Sequence, residues 1–360
     1  MREMSAKKLE VGVLGATGMV GQRLASLLES HPWFELRWLG ASDRSAGKKY
    51  SDACNWRLRD PMPAGVRDLA VNDCVPNGNA PQLLFASLDS KVAGEVEGAF
   101  ARAGHAVVSN SSYYRMESDV PLVIPEVNPG HLALVRYQRR QRGWSGMIVT
   151  NPNCTTIGLV MSLAPLARAF GLAKVMMTSM QAVSGAGYPG VPTLDILGNV
   201  IPYIGGEEEK VEAETRKLLG ALDADPAHDG HVEPGDFAVS AHCNRVMVED
   251  GHTETVSVAL RSKAAPEEVI AAWSTFEAPS EVRTLPSAPQ RPIVVREEAD
   301  RPQPKFDVNE GHGMTAVVGR LRPCPVLDYK YVVLSHNTIR GAAGAALLNA
   351  ELMKAEGYLD

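Results

Sequence analysis

The stretch LEVGVLGATGMVGQRLASLLESHP, residues 9–32, decides the fold. It opens on a short apolar run from Leu9 to Leu14, the length of a buried strand. Glycines follow at positions 15, 18 and 21, and Val20, Leu24, Leu27 and Leu28 then recur at helical spacing until Pro32. A strand that turns on glycines into a helix is the first half of a βαβ unit. Glycines there let the backbone turn tightly and approach a pyrophosphate, and the helix start offers free N–H groups and a partial positive charge. The same glycines also suit a turn with no ligand, but their place in the first βαβ unit favours a dinucleotide phosphate loop.

Working outward, FELRWLGAS (34–42), PQLLFASL (81–88), HAVVSNSS (105–112) and SGMIVT (145–150) read as further short apolar strands. Strands alternating with helical segments imply a mainly parallel, Rossmann-type sheet covered by helices. The end of the second strand, GASDRSAGKKY (40–50), is where an adenosine ribose would lie. Ser42, Arg44, Ser45 and Lys48 supply donors and positive charge for a 2′-phosphate, so NADP is favoured over NAD, with Asp43 arguing the other way. A solvated polar loop is the alternative reading.

From about residue 174 the texture changes to longer strands: KVMMTSMQAVSG (174–185), HTETVSVAL (252–260), MTAVVGRL (314–321) and YKYVVLSHN (329–337). These imply a second, α+β domain with a mixed sheet. The final RGAAGAALLNAELMKAEG (340–357) is small and apolar at helical spacing and is expected to pack back on the first domain. The expected division is residues 1–152, completed by 336–360, for the cofactor, and 153–335 for catalysis and dimerisation.

With 360 residues, 45% hydrophobic and 22% charged, the chain has ordinary globular composition. Its five cysteines are scattered without CxxC pairs or zinc-ligand spacing, so neither a disulfide framework nor a metal site is indicated. A net charge of -6 argues against nucleic acid or anionic membrane as partner. The start lacks a secretory h-region and no apolar run reaches membrane length, which makes the cytoplasm the expected compartment.

In NPNCTTIGLV (151–160), Cys154 stands where a strand gives way to a helix. The helix dipole and free amides there favour thiolate over thiol, the condition of a nucleophile; an inert core cysteine is the alternative. His252 opens a strand just after a loop, seven residues past Arg245, and is either the proton partner or a turn histidine. Gln181 precedes a glycine-rich loop containing Gly185 and Gly187. In GGEEEKVEAETRK (205–217), Glu207 and Lys210 share a helical face near its start, a pattern equally suited to a solvated helix end.

Together GVLGATGMVGQ, NPNCTTIG, QAVSGAGYPG, GGEEEK, CNRVMVEDGHTE and HNTIRGAAGAALL resemble the aspartate-semialdehyde dehydrogenase family, in particular its archaeal and fungal branch, over nearly the whole chain. The resemblance implies that Cys154 is the nucleophile, that His252 is the acid/base and that Gln181 orients substrate at the reacting carbon. Arg245 would hold the substrate α-carboxylate, Glu207 its α-amino group, and Lys210, Asn153 and Arg115 the phosphate. NADP would be held by Gly15, Thr17, Gly18, Met19, Val20, Ser42, Arg44, Ser45, Ser87, Ser184, Gly185 and Asn337. The reaction implied is reversible reductive dephosphorylation of 4-aspartyl phosphate through a Cys154 thioester, in lysine, threonine and methionine biosynthesis, by a homodimer or homotetramer. Malonyl-CoA reductase and N-acetyl-glutamyl-phosphate reductase share parts of the pattern, but neither explains an acid at Glu207. An inactive NADP-binding paralogue would not need Cys154 and His252 together.

Overall fold

The computed structural model describes residues 7–223, 225 and 230–360 and contains two six-stranded sheets. The first holds β1 (Leu9–Leu14), β2 (Phe34–Ala41), β3 (Val71–Asp73), β4 (Leu83–Ala86), β5 (Ala106–Ser109) and β6 (Met147–Thr150). Every pairing is parallel, in the order β3-β2-β1-β4-β5-β6. β4, β5 and β6 are buried at every position, as strands covered on both faces must be. The strand order reverses between β1 and β4, and a ligand crevice opens at the carboxyl ends of strands at such a point. The turn after β1 leads there into α1 (Met19–Leu28). The covering helices include α2 (Ser90–Arg102) and α3 (Leu134–Arg142), neither of which the sequence reading had placed.

After β6 the chain enters α4 (Cys154–Phe170), apolar on all sides and buried over most of its length, so a core helix rather than a surface one. It leads into β7 (Leu172–Gln181), α5 (Glu207–Leu218), the small pair β8 (Ala221–Asp223) and β9 (His231–Glu233), β10 (Ala238–Arg245) and β11 (His252–Leu260). Then follow α6 (Pro266–Ser274), β12 (Ile293–Arg296), β13 (Ala316–Pro323) and β14 (Tyr329–Ser335). The second sheet is mixed, ordered β10-β7-β11-β14-β13-β12, as expected from its longer alternating strands. Its inner face packs on α4 around Ile157, Met161, Val175, Val256 and Val333. Its outer face presents Met176, Thr178, Ser240, His242 and Thr255.

Register makes the fold functional. β7 and β10 run parallel with Gln181 opposite Arg245, while β11 runs antiparallel with Thr253 opposite Met180. The ends of two strands and the start of a third therefore meet at one edge, beside the first turn of α4.

The last helix does not begin as a plain α-helix. A wide π-turn, Ile339–Ala343, precedes α7 (Gly344–Ala355), and within it Gly341 is pressed against Cys154: a Cβ there would stand 2.6 Å from the Cβ of Cys154. α7 packs into the first core through Ala346, Leu347, Ala350 and Met353, as its small-residue pattern predicts.

Candidate active site

Cys154 is the first residue of α4, and its Sγ lies 3.3 Å from Nε2 of His252. Asn153 caps the helix: its Oδ1 accepts from the N–H groups of Thr155 (2.8 Å) and Thr156 (3.2 Å). The other half of its amide donates to Glu207 Oε1 at 2.8 Å, and Gln181 Nε2 donates to the same oxygen at 3.2 Å. Lys210 Nζ stands 3.6 Å from Glu207 Oε2. Arg245 donates through Nη1 to the carbonyl of Ala182 at 2.7 Å. Gly185 is tight against both partners: a Cβ would stand 2.9 Å from Arg245 Nη1 and 3.0 Å from His252 Cε1. Cys154, His252, Gln181, Arg245, Glu207, Asn153, Lys210 and Gly185 thus converge on one place.

Arg115 reaches this group through a residue that the sequence reading missed. Its Nη1 donates to Glu214 Oε1 at 3.0 Å, and Glu214 Oε2 accepts the backbone N–H of Asn153 at 2.6 Å. Lys217 then ties down the Arg115 loop by donating to the carbonyls of Arg115, Glu117 and Val120 at 2.7, 2.8 and 3.0 Å. Glu207, Lys210, Glu214 and Lys217 are spaced at three, seven and ten residues along α5, on one face, so that spacing was the available signal. Gly341 carried no such signal, since its need for space arises only from Cys154.

The electrostatics differ from the helix-start expectation. In the free protein, burial and then the charge of Glu207 push the Cys154 thiol up to about 12, with Arg115 and Arg245 pulling only partly against them. Burial, followed by Arg245 and His336, holds His252 down at about 3. The pair is therefore thiol and neutral imidazole. Asn153 Oδ1 takes the amides of Thr155 and Thr156, and Glu214 takes that of Asn153, so only the amide of Cys154 itself is left to favour the thiolate, and burial outweighs it.

Of the residues expected to hold NADP, Met19 and Ser184 line a cleft and the others lie along the turns after β1, β2, β4 and β7 or just after β14. Gly15 has a φ of +76°, and a Cβ there would stand 2.5 Å from the carbonyl oxygen of Ser87. Gly18 precedes α1 with no side-chain cap, leaving the N–H groups beside Thr17, Met19 and Val20 for an anion. Ser87 Oγ bonds the Leu14 carbonyl at 3.2 Å, and Asn337 Nδ2 donates to Ser184 Oγ at 2.8 Å. A cleft of about 790 Å³ lined by Met19, Ser184, His336 and Ile339 continues from them. Ser42, Arg44 and Ser45 form the turn after β2, outside that cleft, and Arg44 is exposed and makes no ion pair with a described residue. A glycine turn, an uncapped helix start and an unengaged arginine suit a phosphorylated dinucleotide. Among the described residues no group of His, Cys, Asp or Glu is placed to hold a metal ion, and no helix is long and apolar enough to cross a membrane.

Two family models match: the semialdehyde dehydrogenase NAD binding domain over residues 10–135, and the semialdehyde dehydrogenase dimerisation domain over residues 163–340. The chain is 51% identical to aspartate-semialdehyde dehydrogenase of Archaeoglobus fulgidus over 346 residues, 96% of this chain and 98% of that one. It is also 51% identical to the Methanothermobacter thermautotrophicus enzyme over 348 residues, covering 96% and 99% of the two chains. The crystal structure of the Candida albicans aspartate-semialdehyde dehydrogenase with NADP superposes with a TM-score of 0.89 at 45% identity, over 97% of this chain and 99% of that one. With both family models matched and half its residues identical across nearly its full length, the chain belongs to the aspartate-semialdehyde dehydrogenase family.

Proposed function

We propose that this protein is an NADP-dependent aspartate-semialdehyde dehydrogenase, interconverting 4-aspartyl phosphate and aspartate 4-semialdehyde in amino-acid biosynthesis. One observation carries the reading: a cysteine sulfur 3.3 Å from a buried histidine, flanked by an arginine and a glutamate suited to the two charged groups of an α-amino acid. In the biosynthetic direction Cys154 attacks the acyl phosphate and becomes a thioester. When bound, NADPH supplies hydride to that carbon. Arg245 holds the α-carboxylate with its planar fork, Glu207 pairs with the α-ammonium, and Gln181 orients the chain between them. Lys210, Arg115 and Asn153 hold the phosphate, with Glu214 fixing Arg115. Gly15, Thr17, Gly18, Met19 and Val20 hold the pyrophosphate; Ser42, Arg44 and Ser45 the 2′-phosphate; Ser87, Ser184, Gly185 and Asn337 the nicotinamide side. We assign residues 1–152 with 336–360 to cofactor binding and 153–335 to catalysis and assembly.

The protein acts as a homo-oligomer, a dimer or a tetramer, built through the open outer face of the second sheet around Met176, for which the match to a dimerisation domain is the support. A working thiol at Cys154 suits the reducing cytoplasm. The deciding assay is phosphate-dependent NADPH formation from aspartate semialdehyde, run beside NADPH-dependent reduction of malonyl-CoA. Malonyl-CoA reduction without phosphate-dependent turnover would overturn the substrate, because Glu207 would then face no cation.

A further inference from the structure

Glu97, on α2, is wholly buried against the loop that carries Arg115. Its Oε1 accepts the hydroxyl of Ser109 at 2.9 Å, and the Ser109 oxygen accepts the N–H of Ser111 at 3.1 Å, so the carboxyl anchors the start of that loop. Its Oε2 is buried without a partner. So is Nε of Arg115, whose Nη2 donates to the Asn110 carbonyl at 2.7 Å while Nη1 serves Glu214. Ser109 faces Glu97 from β5, and Tyr114 and Arg115 face it from the loop; β6, which also packs on α2, offers Met147, Ile148, Val149 and Thr150, none of which titrates. The Tyr114 phenol is committed to the Gly94 carbonyl at 2.6 Å. Burial pushes the Glu97 carboxyl up to about 7, and the Ser109 hydroxyl and then the Arg115 charge pull it only partly back.

We propose that Glu97 is a positioning residue for the phosphate, a titrating counter-charge behind Arg115 whose ionisation weakens the hold of Arg115 on the anion. This rests on the assignment of the phosphate to Arg115 made above and adds a pH dependence to it. With Glu97 neutral, Arg115 faces one carboxylate, that of Glu214, and its remaining N–H groups are free to turn to an anion. With Glu97 ionised, two carboxylates flank one guanidinium in a buried place where charges are weakly screened. The surplus negative charge repels a phosphate dianion, and it draws the unpartnered Nε–H back toward Oε2. By reciprocity, bound phosphate favours the protonated form of Glu97. The substrate carboxylate and ammonium, assigned to Arg245 and Glu207, lie outside this pairing.

The test is the KM for phosphate in the oxidation of aspartate semialdehyde with NADP saturating, measured across neutral pH for the parent and for Glu97→Gln, which keeps the shape of the side chain and cannot ionise. Dividing the parent KM by the variant KM removes what the two share, the ionisation of phosphate itself and that of Lys217, whose ammonium burial holds down at about 8. The ratio should stay near one at about pH 6 and climb to roughly fivefold or more by about pH 8, the lower end of ordinary coupling between two sites. The KM for aspartate semialdehyde should show no such climb. Ser109→Ala reads the same titration with the acid still in place, whether or not the glutamine variant folds: without the hydroxyl that holds the carboxyl down, the rise in phosphate KM should begin at higher pH. A flat ratio, or a rise that Ser109→Ala does not displace, overturns the proposal. Arg115→Lys, which loses the planar fork, separates this inference from the assignment beneath it. An unchanged phosphate KM in that variant overturns both, whereas a raised one beside a flat Glu97→Gln ratio overturns the role of Glu97 alone.

Discussion

At Cys154 the helix start and the burial of the side chain oppose each other, and burial wins. The thiol is held up to about 12 because burial penalises the thiolate and Glu207 adds negative charge, which Arg115, Arg245 and the Cys154 amide offset only in part. Since only the thiolate alkylates, the rate of Cys154 modification by iodoacetamide in the free protein should still be climbing at about pH 9. A plateau near neutral pH would show that the amides stabilise the thiolate after all. Glu207 makes a second residue-scale test. Glu207→Gln removes a charge-assisted contact worth about 1.5–3 kcal/mol, so the KM for aspartate semialdehyde should rise by one to two orders of magnitude while cofactor affinity stays put. An unchanged KM would mean that Glu207 serves only to orient Asn153 and Gln181.

Among the elements, the π-turn at Ile339–Ala343 has the most demanding position. Arg340 is wholly buried and donates to both oxygens of Glu126, at 2.6 and 2.8 Å, also wholly buried. That pair fixes the turn while Gly341 rests on Cys154. Arg340→Met would leave the Glu126 carboxylate buried without its cation, so urea denaturation should show a loss of about 3–5 kcal/mol. A loss below about 1 kcal/mol would show that the turn is held by packing alone. Helical spacing in HNTIRGAAGAALL announces a helix but not this turn. The partners lie 214 residues apart in the chain, and nothing near Arg340 in sequence calls for an acid. Glu214 differs, because its seven-residue offset from Glu207 was visible; what was not visible is that the face points inward.

At the scale of the molecule, the parallel sheet and the second, mixed sheet were legible, because continuous apolar strands around Gly15 and longer strands around His252 imply different sheets; the order of strands within each was not. The path of β10 and β11 into one register was not, since it depends on pairing across long loops. One cofactor prediction belongs here. Arg44, in the turn after β2, is exposed and makes no ion pair with a described residue, so Arg44→Ala should weaken NADP by about 1.5–3 kcal/mol and leave NAD nearly unaffected. Equal loss of both cofactors, measured by fluorescence titration, would place the 2′-phosphate elsewhere. Among the described residues the backbone joins the two sheets at two places, residues 151–153 leaving the first and 336–338 returning toward it, and both adjoin Cys154, through Asn153 and, just after the second, Gly341. Cys154 is therefore seated where the two halves are covalently tied, the part of the molecule with the least freedom to separate.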